Sequence, residues 1–249
     1  MKAMILAAGL GTRLRPLTND RPKALVEVGG RTMLEITLSR LRQFGVREVI
    51  VNVHHLAEMV IDYLKANQNF GMYIEISHEE VVLDTGGGLK KAAQFLKDPP
   101  PHSKHKSFIL HNVDVLSTID LGRMVEFHSE TGALATLAVR DRETSRYLVF
   151  DAKHQLCGRR AGHDQTPELV RPAAQAHSWA FSGIHVISPH IFELITEEGA
   201  FSIINSYLRL AAQGENIVAF RDDKYYWRDL GRPENLKRAE RDFQDKILS

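Results

Sequence analysis

Short apolar runs alternate with amphipathic stretches through the first half of this chain, and that alternation leaves few folds open. Residues 2–7 (KAMILA), 48–53 (EVIVNV), 73–77 (YIEIS) and 107–113 (SFILHNV) have the length and composition of strands. Between them lie stretches with helical spacing. Thr32 to Phe44 opens with a capping-box pair, Thr32 and Glu35, repeats Met33, Leu34, Leu38 and Leu41 at helical spacing, and stops at Gly45. Leu56 to Ala66 places Leu56, Met59, Val60 and Leu64 on one face. Further helices are expected over about 87–96 and 120–130. Strands that alternate with helices pair in parallel, because a parallel neighbour needs a crossover long enough to hold a helix.

After residue 133 the texture changes. ALATLAVR, RYLVFD and HQLCGRR read as strands joined by tight turns, 161–177 as an irregular excursion, and SWAFSGIHVI (178–187) as a long apolar strand. This part reads as a β-rich insertion on the α/β core. Phe201 to Gln213 is amphipathic and ends at Gly214, and YYWRDL (225–230) reads as a last strand. Gly231 turns that strand, and Pro233 suits the first turn of a charged surface helix. The Pro-rich loop KDPPPHSKHKS (97–107) carries His102 and His105, read as solvated residues rather than metal ligands.

Composition narrows the function. Among 249 residues, 32 basic against 31 acidic side chains leave a net charge of +1, with no general attraction for nucleic acid or an anionic membrane. A single cysteine, Cys157, excludes an internal disulfide and reads as a buried structural thiol. No apolar run is long enough for a transmembrane helix, and the start, MKAMILAAGLGTR, lacks a signal-peptide pattern. A cytoplasmic protein with no nucleic-acid or membrane partner is expected.

The segment AAGLGTRLRPLTNDRPKAL (7–25) follows the first strand, where an α/β fold places a phosphate-binding loop. A dinucleotide fingerprint fits it poorly. Gly9 and Gly11 give G-x-G, but the third position is Leu14, and the second strand ends at Val53 and His54 without an acid. The P-loop pattern G-x-x-x-x-G-K-[ST] does not occur. A third reading is a loop whose Gly9 and Gly11 let backbone N–H groups approach a triphosphate, while Arg13 and Lys23 supply cations. A bare surface loop accounts for the glycines, but not for Thr-Arg, Pro-Leu-Thr and Arg-Pro-Lys in so short a span. Asp114 closes the strand at 107–113; by itself an acid there is ordinary turn chemistry.

GLGTRLRPLT followed by RPKAL closely resembles the signature of the sugar-1-phosphate nucleotidylyltransferases, the NDP-sugar pyrophosphorylases. The resemblance covers most of the chain. LDTGGGLKKA (83–92) resembles that family's base- and sugar-side Gly loop, and SFILHNVDV its apolar strand ending in Asn-Gly-Asp. FSGIHVI resembles the strand bordering the sugar pocket, and YYWRDLGRPENL the Trp-x-Asp-x-Gly-Thr segment. The nearest texture is that of the N-acetylmuramate-1-phosphate uridylyltransferases, which share a Thr-Gly-Gly-Gly loop, with the mannose-1-phosphate guanylyltransferase-like proteins close behind.

The resemblance implies a Rossmann-like fold of the nucleotide-diphospho-sugar transferase type: a mixed, mainly parallel central sheet flanked by helices, with a small β-rich sugar-side insertion. It implies one domain over residues 1–249. A nucleotide-binding core would span 1–133, the sugar-side part 134–200, and a C-terminal helix, strand and helix 201–249. The implied substrates are a nucleoside triphosphate and a sugar 1-phosphate, with uridylyl or guanylyl transfer foremost, and the implied cofactor is Mg²⁺ held by Asp114 and Asp229. Arg13 would hold the β- and γ-phosphates, and Lys23 the α-phosphate and the incoming sugar phosphate. Ala7, Ala8, Gly9, Gly11 and Thr12 would follow the nucleotide, with Thr85 and Gly86 near the base and Asn112 and Gly183 on the sugar side. His54 and His55 fit either a base or ribose contact or a structural pair. Family members form dimers and tetramers, so a homo-oligomer is compatible, though no surface patch in the sequence marks one.

The chain also departs from the pattern. Val113 stands where the family has glycine, which would put a side chain where the family keeps open backbone. Many members carry Glu-Lys-Pro in the β-rich part, whose Lys grips the sugar phosphate; here the turn reads CGRRAG, so Arg159 or Arg160 is either a substitute or an exposed basic residue. Two rival readings stand beside the first. One is a cytidylyltransferase for a phosphocholine-like substrate, with Trp179, Phe181 and Trp227 as candidate cage aromatics. The other is a non-catalytic nucleotide-sugar-sensing subunit on the same fold.

Overall fold

The computed structural model describes residues 1–100, 103 and 106–244, so His102 and His105 lie outside the described residues. The first half runs β1 (Lys2–Leu6), a hairpin of β2 (Glu27–Val28) and β3 (Arg31–Thr32), α1 (Met33–Gln43), β4 (Glu48–Val53), α2 (Ala57–Ala66), β5 (Tyr73–His78), α3 (Asp84–Lys91), α4 (Ala93–Leu96) and β6 (Phe108–Asn112). It continues through β7 (Val115–Ser117), α5 (Leu121–Thr131), β8 (Ala135–Arg140), β9 (Arg146–Asp151), β10 (Leu156–Ala161), β11 (Glu168–Leu169) and β12 (Ala176–Ile187). The chain ends in α6 (Ile191–Leu194), α7 (Ile203–Ala212), β13 (Ile217–Arg221), β14 (Trp227–Asp229) and α8 (Pro233–Gln244).

The ten-stranded sheet follows the order β11-β10-β9-β12-β6-β1-β4-β5, with β8 pairing both β12 and β13. Its α/β half is parallel: β6, β1, β4 and β5 run the same way. The inner strands are covered on both faces, so their sequences are apolar throughout rather than alternating. Ala3, Met4 and Ile5 of β1 have no exposed surface. Thr32 caps α1 as its spacing predicts, accepting the Glu35 N–H.

The β-rich part does not stand apart from the core. β12 is antiparallel to β6 through Ile184–Ile187 and to β9 through Ala176–Ala180, so one strand carries the sheet from one half into the other. Between those stretches its register against β8 shifts between Phe181 and His185. Gly183 sits in that shift with φ +78, a left-handed value that favours glycine. Besides the two-residue strands β2, β3 and β11, two strands were not expected from sequence. β13 adds to the sheet beside β8, and β7 pairs β14 in a separate two-stranded ribbon. β7 has only three residues, and the partners of both lie far away in sequence.

The Gly-Gly-Gly run is a further difference. The expected helix at about 87–96 begins earlier, and Gly86, Gly87 and Gly88 lie buried within α3. A Cβ on Gly86 would strike the Phe201 ring, and one on Gly87 the Gly199 carbonyl. On Gly88 it would lie 2.7 Å from Glu79 Oε1 and 2.8 Å from Asn52 Nδ2. These glycines therefore let α3 approach the segment before α7 and the polar pair behind β1, whatever else they border.

Two predictions follow from this packing. Gly87→Ala gains helix propensity but meets backbone that cannot rotate away, so it is expected to destabilise the fold by about 1–3 kcal/mol, read as a lower urea midpoint. Stability should also fall with acid. Burial lowers His111 and His128 to about 4 and His185 to about 3, against an ordinary value of 6.5. Below 6.5 the unfolded chain binds protons that the folded one refuses, so stability present above 6.5 is lost as pH drops towards 4. Asp222 works the other way, since burial raises it from 3.8 to about 6, but it offsets only part of three histidines. Urea midpoints are expected to decline steadily from pH 7 to pH 4.5; a flat profile would show that the histidines are not buried in neutral form.

Candidate active site

The sheet sets the place of the site. β1 has β4 on one side and β6 on the other, so connections leave it in both directions and a crevice opens beyond the carboxyl ends of the strands. Leu6 and Asn112 are register partners, so the loop after β1 and the Asn112-Val113-Asp114 turn after β6 leave the sheet side by side.

The loop after β1 folds around Gly11. Its φ is +64, and its carbonyl accepts the Leu14 N–H at 2.8 Å and the Thr18 hydroxyl at 2.8 Å. A Cβ there would come within 3.0 Å of Thr18 and 3.1 Å of Lys23. Thr12 and Arg13 sit in the single 3-10 turn Thr12–Leu14, with the Arg13 side chain 55% exposed. Lys23 opens a second such turn after Pro22, and its ammonium is ion-paired with Asp114, both side chains largely covered.

Asp114 and Asp229 meet because two segments pair. β7 and β14 are antiparallel, with Asp229 opposite Val115, and the Leu230 N–H donates to the Asp114 carbonyl at 2.8 Å. Asp229 Oδ1 also accepts the Gly231 N–H at 2.8 Å, and Arg13 stands 3.9 Å from the other oxygen of that carboxylate. A Cβ built on Gly231 would lie 2.8 Å from Asp229 Oδ1, 3.0 Å from Asp114 Oδ2 and 2.7 Å from Arg13 Nη2. Both carboxylates and the loop arginine thus converge on one point that only a missing side chain keeps open. Hard oxygen donors from two carboxylates, with room left for phosphate and water, match what Mg²⁺ takes. Among the described residues no group of three or more His, Cys, Asp or Glu forms an alternative metal cluster.

Val113 does not reshape this site. It is buried at 3% exposure in the same apolar cluster as Met33, Leu34 and Leu38, while its neighbours Asn112 and Asp114 line the cavity. Sequence comparison with a glycine suggested an intruding side chain; in the structure that side chain turns into the core. Asn112 packs against Gly183, where a Cβ would meet Asn112 Nδ2 at 3.0 Å and Val115 at 2.7 Å. The cavity they share has a volume of about 620 Å³ and is also lined by Arg13, Asp114, Trp227 and Asp229.

The end of β1 is fixed from behind. Asn52 accepts the Ala7 N–H at 2.7 Å and donates to buried Glu79 at 2.7 Å, and Glu79 also accepts the Leu83 N–H at 3.0 Å. Ala7 and Ala8 are buried, and a Cβ on Gly9 would find open space. Thr85 and Gly86 have partners of their own: the Thr85 hydroxyl accepts the Ile203 N–H at 3.0 Å, and the Gly86 N–H donates to Phe201 at 2.8 Å. His54 donates from Nδ1 to the Glu79 carbonyl at 2.7 Å, a structural contact. The Asn52–Glu79 brace went unread, although an Asn inside EVIVNV was a visible signal.

Several candidates from the β-rich part fall outside the cavity. Arg159 pairs with Glu168 at 2.7 Å on the β10–β11 edge, and Arg160 lies over the Tyr147 ring at 5.0 Å. Trp179 is buried between Phe150 and His177, so it joins no cage with Phe181 and Trp227. The Trp227 ring carries the Arg142 guanidinium at 4.3 Å, which already holds a cation where choline would sit. Cys157 is buried, donates to the Val149 carbonyl at 3.3 Å, and has its thiol pKa raised by burial, as an inert thiol would. No helix among the described residues is long and apolar enough to cross a membrane.

Comparison with known proteins places this geometry. Residues 2–246 match the nucleotidyl transferase family. The chain is 34% identical over 245 residues to the N-acetylmuramate alpha-1-phosphate uridylyltransferase of Caulobacter vibrioides, covering 96% of this chain and 95% of that protein. It is 32% identical over 240 residues to the mannose-1-phosphate guanyltransferase of Yarrowia lipolytica, covering 95% of this chain but only 62% of that longer protein. The solved structure of HddC from Yersinia pseudotuberculosis, complexed with GMP-PN, has the same fold, with a TM-score of 0.75 at 23% identity over 97% of this chain and 99% of that one. The chain belongs to the nucleotidyl transferase family.

Proposed function

We propose that this protein transfers a nucleotidyl group from a nucleoside triphosphate to a sugar 1-phosphate and releases pyrophosphate. The observation that carries the reading is the convergence of Asp114, Asp229 and Arg13 on the open point beside Gly231, at the mouth of the loop after β1. The names of the similar proteins favour uridylyl or guanylyl transfer.

In the step itself, an oxygen of the sugar phosphate forms a bond to the α-phosphorus as the bond to the pyrophosphate oxygen breaks. The attacking oxygen is already anionic, so no general base is required. Bringing two polyanions together is the difficulty, and positioning with charge neutralisation is the remedy. When bound between the two carboxylates, Mg²⁺ would supply positive charge to the phosphate oxygens. Arg13, exposed beside Asp229, would reach the outer phosphates, while Lys23, oriented by Asp114, would offer its ammonium to the α-phosphate. The backbone of Ala7, Ala8 and Gly9 receives the nucleotide, held in place by the Asn52 brace.

Pyrophosphate release from a matrix of nucleoside triphosphates and sugar 1-phosphates, with phosphocholine included, tests the reading. Release is expected with at least one sugar 1-phosphate. Silence across the matrix would end the enzyme reading, and release with phosphocholine alone would replace the acceptor. Asp114→Ala is expected to lower kcat by at least ~100-fold with an unchanged circular dichroism spectrum. Gly231→Ala puts a methyl among three functional groups and should cost ~10-fold or more in kcat; activity within twofold of wild type in either variant would show that the metal assignment is wrong.

A further inference from the structure

If the acceptor is a sugar 1-phosphate, its phosphate needs a cation on the sugar side, and the turn from which family resemblance would draw one does not reach the cavity. Arg159 and Arg160 are engaged on the outer strands. Several other arginines do reach it, and the most firmly held of them is Arg142. We propose that Arg142 holds the phosphate of the acceptor, a role that rests on the transfer reaction proposed above.

Arg142 lies just beyond β8 and lines the cavity with Asp114 and Asp229. Three contacts fix its guanidinium. One terminal nitrogen donates to the Phe181 carbonyl at 3.1 Å, the other to the Glu143 carbonyl at 3.2 Å, and the Trp227 indole lies beneath it at 4.3 Å. Each terminal nitrogen has two N–H groups, so each keeps one uncommitted, in the fork that suits phosphate. The Nε is buried with no acceptor, so this cation is incompletely satisfied by the protein alone. Burial lowers its pKa, and Asp229 is the foremost charge raising it, which ties the arginine electrostatically to the carboxylate pair. Arg13 arrives from the loop after β1 and Arg142 from the turn after β8, so a cation lines the cavity from each half of the sheet.

Besides Arg13, the other arginines lining the cavity, Arg146, Arg232 and Arg238, are all exposed, whereas Arg142 is half-buried. Arg140 is spent on buried Asp222, at 3.5 Å, and on the Tyr225 carbonyl, at 3.1 Å. Arg232 is exposed and paired with Glu234 at 3.8 Å. A cation held rigid before the ligand arrives loses less freedom on binding than a flexible surface one.

Steady-state kinetics with the best substrate pair, on wild type, Arg142→Ala, Arg142→Lys and Arg160→Ala, test the proposal. Arg142→Ala is expected to raise KM for the sugar 1-phosphate at least tenfold while KM for the nucleoside triphosphate stays within twofold. Arg142→Lys should recover part of that loss, and Arg160→Ala should match wild type. An unchanged sugar-phosphate KM in Arg142→Ala would overturn the proposal. So would a parallel rise in both KM values with a lower melting temperature, the mark of a packing residue. If wild type turns over no pair, the reaction falls, and calorimetry with inorganic phosphate then decides on Arg142 alone: tighter binding by wild type than by Arg142→Ala supports an anion site there, and equal binding refutes it.

Discussion

Two carboxylates held near one another repel, and the site depends on the structure that forces Asp114 and Asp229 together regardless. The force is backbone pairing. The β7–β14 ribbon and the Leu230 to Asp114 hydrogen bond leave neither acid free to swing away. Lys23 on Asp114 and Arg13 near Asp229 then balance the charge in the absence of ligand. Because each acid has its own basic partner from the same loop, the loop after β1 is anchored at its far end by the very groups it would help to present to phosphate. Fold and chemistry share these contacts: removing either acid leaves a cation without its partner as well as a site without its ligand.

Glycine serves a different purpose at each place where it matters. At Gly11 it permits a left-handed turn, and at Gly183 it lets a bulged strand pass close to Asn112. At Gly231 it leaves a point open among charged groups, and at Gly86 to Gly88 it lets a helix pack against backbone. Of these, Gly183 lines the cavity and Gly231 lies among the carboxylates and the arginine that border it.

The sequence was most legible where the signal is local. The strands of the parallel half and the capped start of α1 could be read because periodicity and capping signals lie within a few residues of each other. What could not be read depends on distant partners. β7 and β13 are strands because of what they pair with, and Arg142 faces the cavity because β8 delivers it beside β12 and Trp227. Val113 misled for the same reason: a missing glycine is visible in sequence, whereas the direction of the side chain that replaces it depends on how the turn meets α1. The Gly-Gly-Gly run misled in the other direction, since a stretch that looks like an open loop is a buried helical turn.

The continuity of β12 has a consequence for the cavity. β12 pairs with β9 through Ala176–Ala180 and with β6 through Ile184–Ile187, with β8 also alongside, so the α/β half and the β-rich half share one strand. Its pairing with β8 is interrupted between Phe181 and His185, where Gly183 holds a left-handed φ, so the irregularity along the shared strand falls beside the cavity. The strand that joins the two halves thus also shapes the cavity wall, since Gly183 packs against Asn112.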